Sequence, residues 1–412
     1  MTVVLGNQAS TGSTVERTPE QAKADRYRAS RELQGFNAWA FSARQMTARN
    51  GGAETKAERV ASCGVRIKPR VGLKRNPESD GRIATTGVKT CGSVWSCLAC
   101  AAKIRARRAE EIDAITKAHL ADGGGVTFLT FTLPHVATDS LDELVDALTK
   151  SWRGMTSGEK WKDKIKPRFD VISQITSFEA TIGANGWHPH LHVLFFHWRP
   201  LDLDRGGEFD QFVTEMGERW GTRIARRLGR ETHAYYGVKG DPVRDNAGIG
   251  AYVSKIHFEM ARSDLKHGDV TWDQRSPWQL GLDAARTGEA QDIARWVEWH
   301  LATKGRNAIQ IPIALRDLYA EQLAVLGQAD KTDEDIAAED QGGEIEAWIS
   351  APAYDALRQA NRHTGALSEF VITYQHHGLQ PAVRQAKAHG VRLAVVVGRT
   401  QTPTVILTGG NT

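Results

Sequence analysis

The sequence has no long apolar run and few cysteines. Each of these two features excludes some classes of protein. No apolar segment approaches the roughly 20 residues that a membrane-spanning helix needs, and the first residues lack the pattern of a signal peptide. We therefore expect a cytoplasmic protein with no membrane partner. Cysteine occurs only four times in 412 residues, always between positions 63 and 100. In a cytoplasmic chain such a cluster favours a metal site over disulfides.

Positive charge is concentrated in the first part of the chain. Residues 1–110 contain 20 Lys and Arg against 9 Asp and Glu, whereas residues 331–412 contain 7 against 9. A basic region of this kind suits the phosphates of a nucleic acid. For residues 1–30 the same composition also fits a solvated, poorly ordered arm, and the sequence leaves both interpretations open.

Hydrophobic periodicity and turn residues predict a mixed order of helices and strands. Helices are predicted over residues 32–46, 101–119, 140–153, 210–228 and 248–261, strands over 126–134, 171–182 and 187–196, and a C-terminal β-hairpin in RLAVVVG–RTQTP–TVILTG. The acidic stretch 331–344 is typical of a linker or a loose helix.

Three histidines alternate along the predicted strand in NGWHPHLHVLFF (185–196), at His188, His190 and His192. Because strand side chains alternate between faces, all three imidazoles share one face and the apolar residues between them face the core. A turn at 184–185 would set Glu179 of the preceding strand opposite His190. Two imidazoles and a carboxylate suit Mg²⁺ or Mn²⁺, and Zn²⁺ would also fit. A structural role stays open for His188, which could only pack at the start of the strand.

The segment NAGIGAYVSKIHFEMA (246–261) places Tyr252, Lys255 and Glu259 on one face of a predicted helix. A tyrosine can attack a phosphodiester once its proton is removed or its phenolate is stabilised, and a lysine can offset the negative charge. Tyr-x-x-Lys by itself is a weak signal, but it gains weight from the histidines upstream.

The four cysteines match a closed tetrahedral Zn²⁺ site that would fold the loop-rich region 61–100. The predicted ligands are Cys63, Cys91, Cys97 and Cys100, of which Cys63 is the most distant in sequence. A redox pair or unrelated buried thiols are the alternatives. Four basic residues follow directly on the next helix: Lys103, Arg105, Arg107 and Arg108. That helix could face duplex DNA or simply support its neighbours, and the sequence does not decide between these roles.

These motifs together resemble the rolling-circle replication initiators of the HUH endonuclease superfamily, the Rep proteins of actinobacterial plasmids and related mobile elements. FLTFTLPH (128–135) resembles the family's first motif, WHPHLHVL (187–194) its His-hydrophobic-His motif and YVSK (252–255) its Tyr-x-x-Lys motif. Two further segments, CGSVWSCLACAAKIRARRAEEI (91–112) and SPWQLGLDA (276–284), are also similar. Leu98 stands where relatives often have Pro, and residues 305–307 read Gly-Arg-Asn in place of Gly-Arg-Arg.

The resemblance implies an α+β fold with a central antiparallel sheet and flanking helices. It implies that His190, His192 and Glu179 hold the cation and that Tyr252 cuts single-stranded origin DNA, leaving a 5′-phosphotyrosine and a free 3′-OH. Lys255 would orient the phosphate, and Glu259 would activate water or aid a second transfer. Expected partners are single-stranded and duplex origin DNA, a host helicase and a polymerase.

The expected organisation has five regions. They are a flexible or helical region 1–60, a zinc-binding segment 61–120, the endonuclease domain 121–330, an acidic linker 331–344 and a small α/β unit 345–412 of unknown role.

Tyr235 and Tyr236 are competing nucleophiles, and four tryptophans could stack on DNA bases: Trp187, Trp198, Trp272 and Trp278. An HUH transposase or relaxase and a non-catalytic zinc-containing DNA-binding regulator remain as alternatives.

Overall fold

The computed structural model describes residues 18–76, 82–230, 237–242, 274–327, 331–339, 342–397 and 402–408. Within these ranges the protein is a mixed α+β structure built on two sheets. The helices are α1 (Pro19–Ala40), α2 (Ala43–Arg49), α3 (Leu98–Ala121), α4 (Leu141–Met155), α5 (Lys166–Arg168), α6 (Glu208–Leu228), α7 (Pro277–Thr287), α8 (Ala290–Thr303), α9 (Ile313–Leu318), α10 (Ala320–Val325), α11 (Asp333–Ala338), α12 (Ala351–Thr364), α13 (Ala366–His377) and α14 (Leu379–Ala388). None of the helices in the described ranges is long and apolar enough to span a bilayer.

The strands fall into two sheets. They are β1 (Arg70–Asn76), β2 (Arg82–Thr86), β3 (Gly125–Thr132), β4 (Val171–Gly183), β5 (Gly186–His197), β6 (Val238–Pro242), β7 (Gln274–Arg275), β8 (Ile309–Gln310), β9 (Ile345–Ser350), β10 (Leu393–Val397) and β11 (Pro403–Leu407). In the first sheet the order is β6-β3-β5-β4-β7, with β8 also pairing with β4. The strands predicted at 126–134, 171–182 and 187–196 are confirmed as β3, β4 and β5.

One face of the first sheet is apolar and packs against helices. Phe131 of β3 lies edge-on to Trp152 of α4 and Trp220 of α6, with ring centroids 5.3 and 5.2 Å apart. On β4, Phe178 stacks against Trp299 of α8 at 6.2 Å. Because side chains alternate along each strand, burial of this face leaves the histidines on the other face.

The second sheet joins distant parts of the chain. Its order is β10-β11-β9-β1-β2, so the β1–β2 hairpin of the cysteine-rich region pairs with strands of the C-terminal region. The sheet packs against α12, α13 and α14 around a core of its own that includes Val71, Leu73, Ile349, Phe370 and Val405. The predicted C-terminal hairpin is confirmed as β10 and β11. The predicted division into five regions stays a prediction, to which the structure adds this shared sheet.

The N-terminal region is more ordered than the composition of residues 1–30 indicates. Helix α1 begins at Pro19 with a capping box, in which the Thr18 hydroxyl accepts from Gln21 N and the Gln21 side chain accepts from Thr18 N. Leu33 and Phe36 then join the main core. The expectation of a poorly ordered arm is therefore wrong from Pro19 onward, because packing overrides composition.

The acidic stretch after position 330 also packs closely. Its helix α11 buries Ile336 and Ala337 in the main core, and Asp333 pairs with Arg108 of α3 at 2.9 Å. Of the two predicted alternatives, linker and loose helix, residues 333–338 form a helix that is docked against α3.

Asn37 of α1 links three parts of the structure. Its fully buried amide donates to the Ser96 carbonyl at 2.6 Å, and its oxygen accepts from the Trp296 indole at 2.9 Å. The cysteine-rich loop and α8 are thereby joined through α1.

Replacing Asn37 with Ala should lower the free energy of unfolding by about 3 kcal/mol, because two buried polar groups lose their partners. Urea denaturation of the purified protein measures this loss. Asn50→Ala, at an exposed helix end, is the control and should change stability little. Equal stability of the Asn37 and Asn50 variants would contradict this role.

Candidate metal centres

The β4–β5 hairpin brings the predicted histidine site together. Its register pairs Glu179 with His190, Ser177 with His192 and Thr181 with His188, as the sequence predicted from a turn at 184–185. A slip of one residue would send these side chains to the opposite face. The register prediction is therefore confirmed.

Glu179 lies between two imidazoles. Its Oε2 is 3.3 Å from His190 Nε2 and 3.2 Å from His192 Nε2. Glu179 and His192 are buried and His190 is partly buried. The ligand atoms of all three residues lie within 4.8 Å of one another, so one cation could contact the whole group. A mixed nitrogen and oxygen set of this kind could hold a divalent cation, and the donor types alone leave its identity open.

Each imidazole is oriented through its second nitrogen. His192 Nδ1 lies 3.0 Å from Thr130 Oγ1 on β3, and His190 Nδ1 lies 3.3 Å from the His188 carbonyl. With Nδ1 donating to these oxygens, Nε2 carries the lone pair that a metal needs. The Phe128 ring stacks on His192 at 5.3 Å and restrains its rotation.

His188 stands beside this group and is not a member of it. Its ring packs against His135 with centroids 4.9 Å apart. Burial, together with His190 and His135, lowers the pKa of His188 to about 4, so this imidazole is neutral at physiological pH. The packing role left open by the sequence fits this position.

Thr130 and Phe128 are site residues to which sequence reasoning gave no role. Both lie in the FLTFTLPH segment, where strand alternation puts them on a common face. What the sequence could not supply was the pairing of β3 with β5, which aligns Thr130 with His192.

The four cysteines converge in a second, fully buried cluster. The Sγ atoms of Cys63 and Cys97 are 3.5 Å apart, and Cys100 Sγ is 3.8 Å from that of Cys63 and 3.7 Å from that of Cys91. Four sulfurs around a tetrahedral Zn²⁺, each bonded at about 2.3 Å, would be about 3.8 Å apart. The cluster therefore has the size of a four-thiolate metal site, and the sequence prediction of these ligands agrees with it.

One neighbouring side chain is suited to a metal-bound thiolate. Gln34 of α1 points its amide at the cluster, 3.5 Å from Cys63 Sγ, and can donate to a thiolate as an outer ligand partner does.

The basic residues at the start of α3 are engaged within the protein. Arg108 pairs with Glu111 and Asp333, each at 2.9 Å. Lys103 donates to the carbonyl of Glu339, the residue that follows α11, at 2.9 Å, and the Arg105 guanidinium lies 5.9 Å from the Trp95 ring centroid. Of the two predicted roles, the structure favours support of neighbouring elements over contact with duplex DNA.

Several predicted residues lie outside the described ranges: Tyr252, Lys255, Glu259, Tyr235, Tyr236 and Trp272. Among the other tryptophans, Trp187 and Trp278 are core residues and are too buried to stack on a base. Trp198 is 64% exposed but follows the far end of β5 from His190.

We predict that Thr130→Val will weaken Mn²⁺ binding at the histidine group by roughly 10- to 100-fold, because His192 loses the hydroxyl that orients it. Isothermal titration of Mn²⁺ into zinc-loaded protein measures the effect. Thr130→Ser keeps the hydroxyl and should bind like the original protein. Unchanged affinity in Thr130→Val would contradict the orienting role.

We predict that Cys97→Ser will lower the zinc content from about one equivalent per chain and reduce thermal stability, since the site needs its four thiolates. Elemental analysis and a thermal melt measure the two effects. Ser62→Ala, beside Cys63, removes a hydroxyl that donates to the Arg59 carbonyl and should retain the metal. Full zinc content in the Cys97 variant would contradict a four-cysteine site.

Two curated proteins resemble the chain. A Streptomyces lividans protein named Protein rep is 28% identical over 349 residues, which cover 69% of this chain and 75% of that protein. A Streptomyces cyanogenus protein named Neomycin resistance protein is 29% identical over 201 residues, covering 41% of this chain and 46% of that protein. No protein-family model and no solved structure matches the chain.

Proposed function

We propose that the protein is a plasmid replication initiator that nicks single-stranded origin DNA and starts rolling-circle replication. The observation that carries the proposal is the convergence of Glu179, His190 and His192 on one sheet face, with ligand atoms within 4.8 Å. Similarity to a protein named Protein rep over 69% of the chain supports a role in replication. The same geometry supports an HUH-like endonuclease domain over residues 121–330.

The connections of the sheet support a nucleophile on the segment between β6 and β7. Residues 243–273, which contain Tyr252, lie outside the described ranges, but the strands on either side of them are described. β6 pairs with β3, where Lys239 lies opposite Thr130, and β7 pairs with β4 at Gly183. β6 and β7, the described strands that precede and follow these residues, therefore lie on opposite sides of the histidine group.

In the proposed reaction the Tyr252 phenolate attacks a phosphodiester of the single strand. A bond forms between the phenol oxygen and phosphorus, and the bond from phosphorus to the 3′ oxygen breaks. The phosphate stays on Tyr252 at the 5′ end, and the 3′ oxygen takes up a proton and becomes the 3′-OH that a polymerase extends. Lys255 offsets negative charge on the phosphate. Attack of a 3′-OH on the phosphotyrosine reverses the step and rejoins the strand.

The remaining site residues have supporting roles. A divalent cation held by Glu179, His190 and His192 would polarise the phosphate oxygens. Glu259 would act as a base on water or on the second transfer at termination. The cysteine site would hold Zn²⁺ as a structural ion, since four thiolates leave no open coordination position. Origin DNA, a host helicase and a polymerase are the proposed partners.

Replacing Tyr252 with Phe should abolish covalent capture of DNA and leave DNA binding largely intact, because only the nucleophilic oxygen is lost. The assay incubates protein and Mn²⁺ or Mg²⁺ with single-stranded oligonucleotides tiled across the DNA beside the gene. Complexes that survive denaturation are then counted on a gel.

Tyr235→Phe and Tyr236→Phe are the matched controls, and both should capture DNA normally. Covalent capture of DNA by Tyr252→Phe would contradict the assignment of Tyr252 as the nucleophile. Absence of capture by the original protein, with every oligonucleotide and either cation, would favour a non-catalytic DNA-binding regulator instead.

A further inference from the structure

The second sheet has one face covered by helices and one that the described helices leave open. Side chains on the covered face form the second core with α12, α13 and α14: Val71, Leu73, Ile83, Ala347, Ile349 and Val405. Directly paired residues of neighbouring strands share a face, so the register assigns every other strand position to the opposite side. We call this opposite side the open face.

A single row of the open face crosses the whole sheet. The pairs Val396–Thr404, Thr404–Trp348, Trp348–Gly72 and Gly72–Thr86 are each in register. The row therefore has Trp348 at its centre, on the middle strand, between a glycine and a threonine. Trp348 is only partly buried, unlike most tryptophans of the main core.

The surface beside Trp348 is kept flat by Gly72. A Cβ at this position would lie 2.8 Å from the Thr86 methyl group and 3.3 Å from Ile345 Cδ1, so a larger side chain does not fit without displacing its neighbours. On the other side Thr404 is short. Neither residue paired directly with Trp348 therefore has a large side chain.

Positive charge lies next to this ring. The Arg70 guanidinium lies over the Trp348 ring, 5.1 Å from its centroid. Because Arg70 is exposed, its side chain can move aside when a base stacks on that face. Lys74 lies four positions beyond Arg70 along β1, on the same face, and exposed Lys68 precedes the strand. Among the described strand residues of the open face none is acidic, since Glu346 lies at the β9 bulge and pairs with Arg75.

We propose that the open face binds single-stranded DNA, with a base stacked on Trp348 and the adjoining phosphates held by Arg70 and Lys74. Stacking on an aromatic side chain needs an unpaired base, and cationic side chains beside the ring bind the phosphates of the nucleic-acid backbone. Duplex DNA offers no free base face to this surface. The choice of DNA as the ligand rests on the proposed function. In that function the open face would hold the unwound or displaced strand away from the nicking site.

Fluorescence anisotropy with the full chain and a labelled oligothymidylate of about 16 nucleotides tests the proposal. Trp348→Ala should raise the Kd by roughly fivefold or more, whereas Trp348→Phe should retain most of the affinity because it keeps an aromatic face. The slope of log affinity against log salt should stay the same in Trp348→Ala and fall by about 0.7 in Arg70→Gln. Val325→Ala, at an exposed apolar residue outside the second sheet, is the control and should bind like the original protein.

Unchanged affinity in Trp348→Ala would overturn the proposal, as would an equal loss for duplex DNA. An effect with oligouridylate and none with oligothymidylate would assign the face to RNA and would overturn it too. Circular dichroism of Trp348→Ala separates lost binding from lost folding. If the Ala variant is unfolded, Trp348→Val repeats the comparison, because valine removes the aromatic ring and suits a strand.

This binding assay needs no cleavage, so its result is separable from that of covalent capture. If covalent capture fails and Trp348→Ala still weakens binding, the proposed function is contradicted and DNA binding by the open face is supported. The reverse pattern, normal capture with unchanged binding, removes only the open face.

Discussion

The register of the β4–β5 hairpin is the constraint on which the candidate site depends. It places Glu179 opposite His190 and diagonal to His192, while Phe178 and Leu191 face the helices. Strand alternation couples these two outcomes, because a shift of one residue would misplace the carboxylate and also expose the apolar face. Burial of the core thus keeps the three ligands on one face, and contacts through their second nitrogens then orient the two imidazoles.

The sheet also supplies what surrounds the ligands. β3 runs beside β5 and presents Thr130 to His192, so one strand both extends the core and orients an imidazole. The cysteine cluster lies in the same hydrophobic core as this sheet, and α1 contributes Gln34 to it. If the two groups hold the proposed metals, the ion in the closed thiolate set stabilises the loop-rich region. The ion in the mixed nitrogen and oxygen set takes part in the reaction.

Local patterns predicted much of the site, and long-range contacts explain the rest. The histidine alternation and the turn were enough to predict the pairing of Glu179 with His190, and cysteine type and number indicated the four-sulfur cluster. The pairing of β1 with β9 could not be predicted, because no periodicity reports a contact between residues some 270 positions apart in sequence. The ion pair between Arg108 of α3 and Asp333 of α11 could not be predicted either, because these residues are also far apart in sequence.

The most direct test of the account is to locate the cation. Anomalous diffraction at the manganese edge, from crystals of the protein grown with Mn²⁺, should show a peak within about 2.5 Å of Glu179 Oε2, His190 Nε2 and His192 Nε2. A well-ordered histidine group with no peak, or a peak held by other side chains instead, would contradict the central claim.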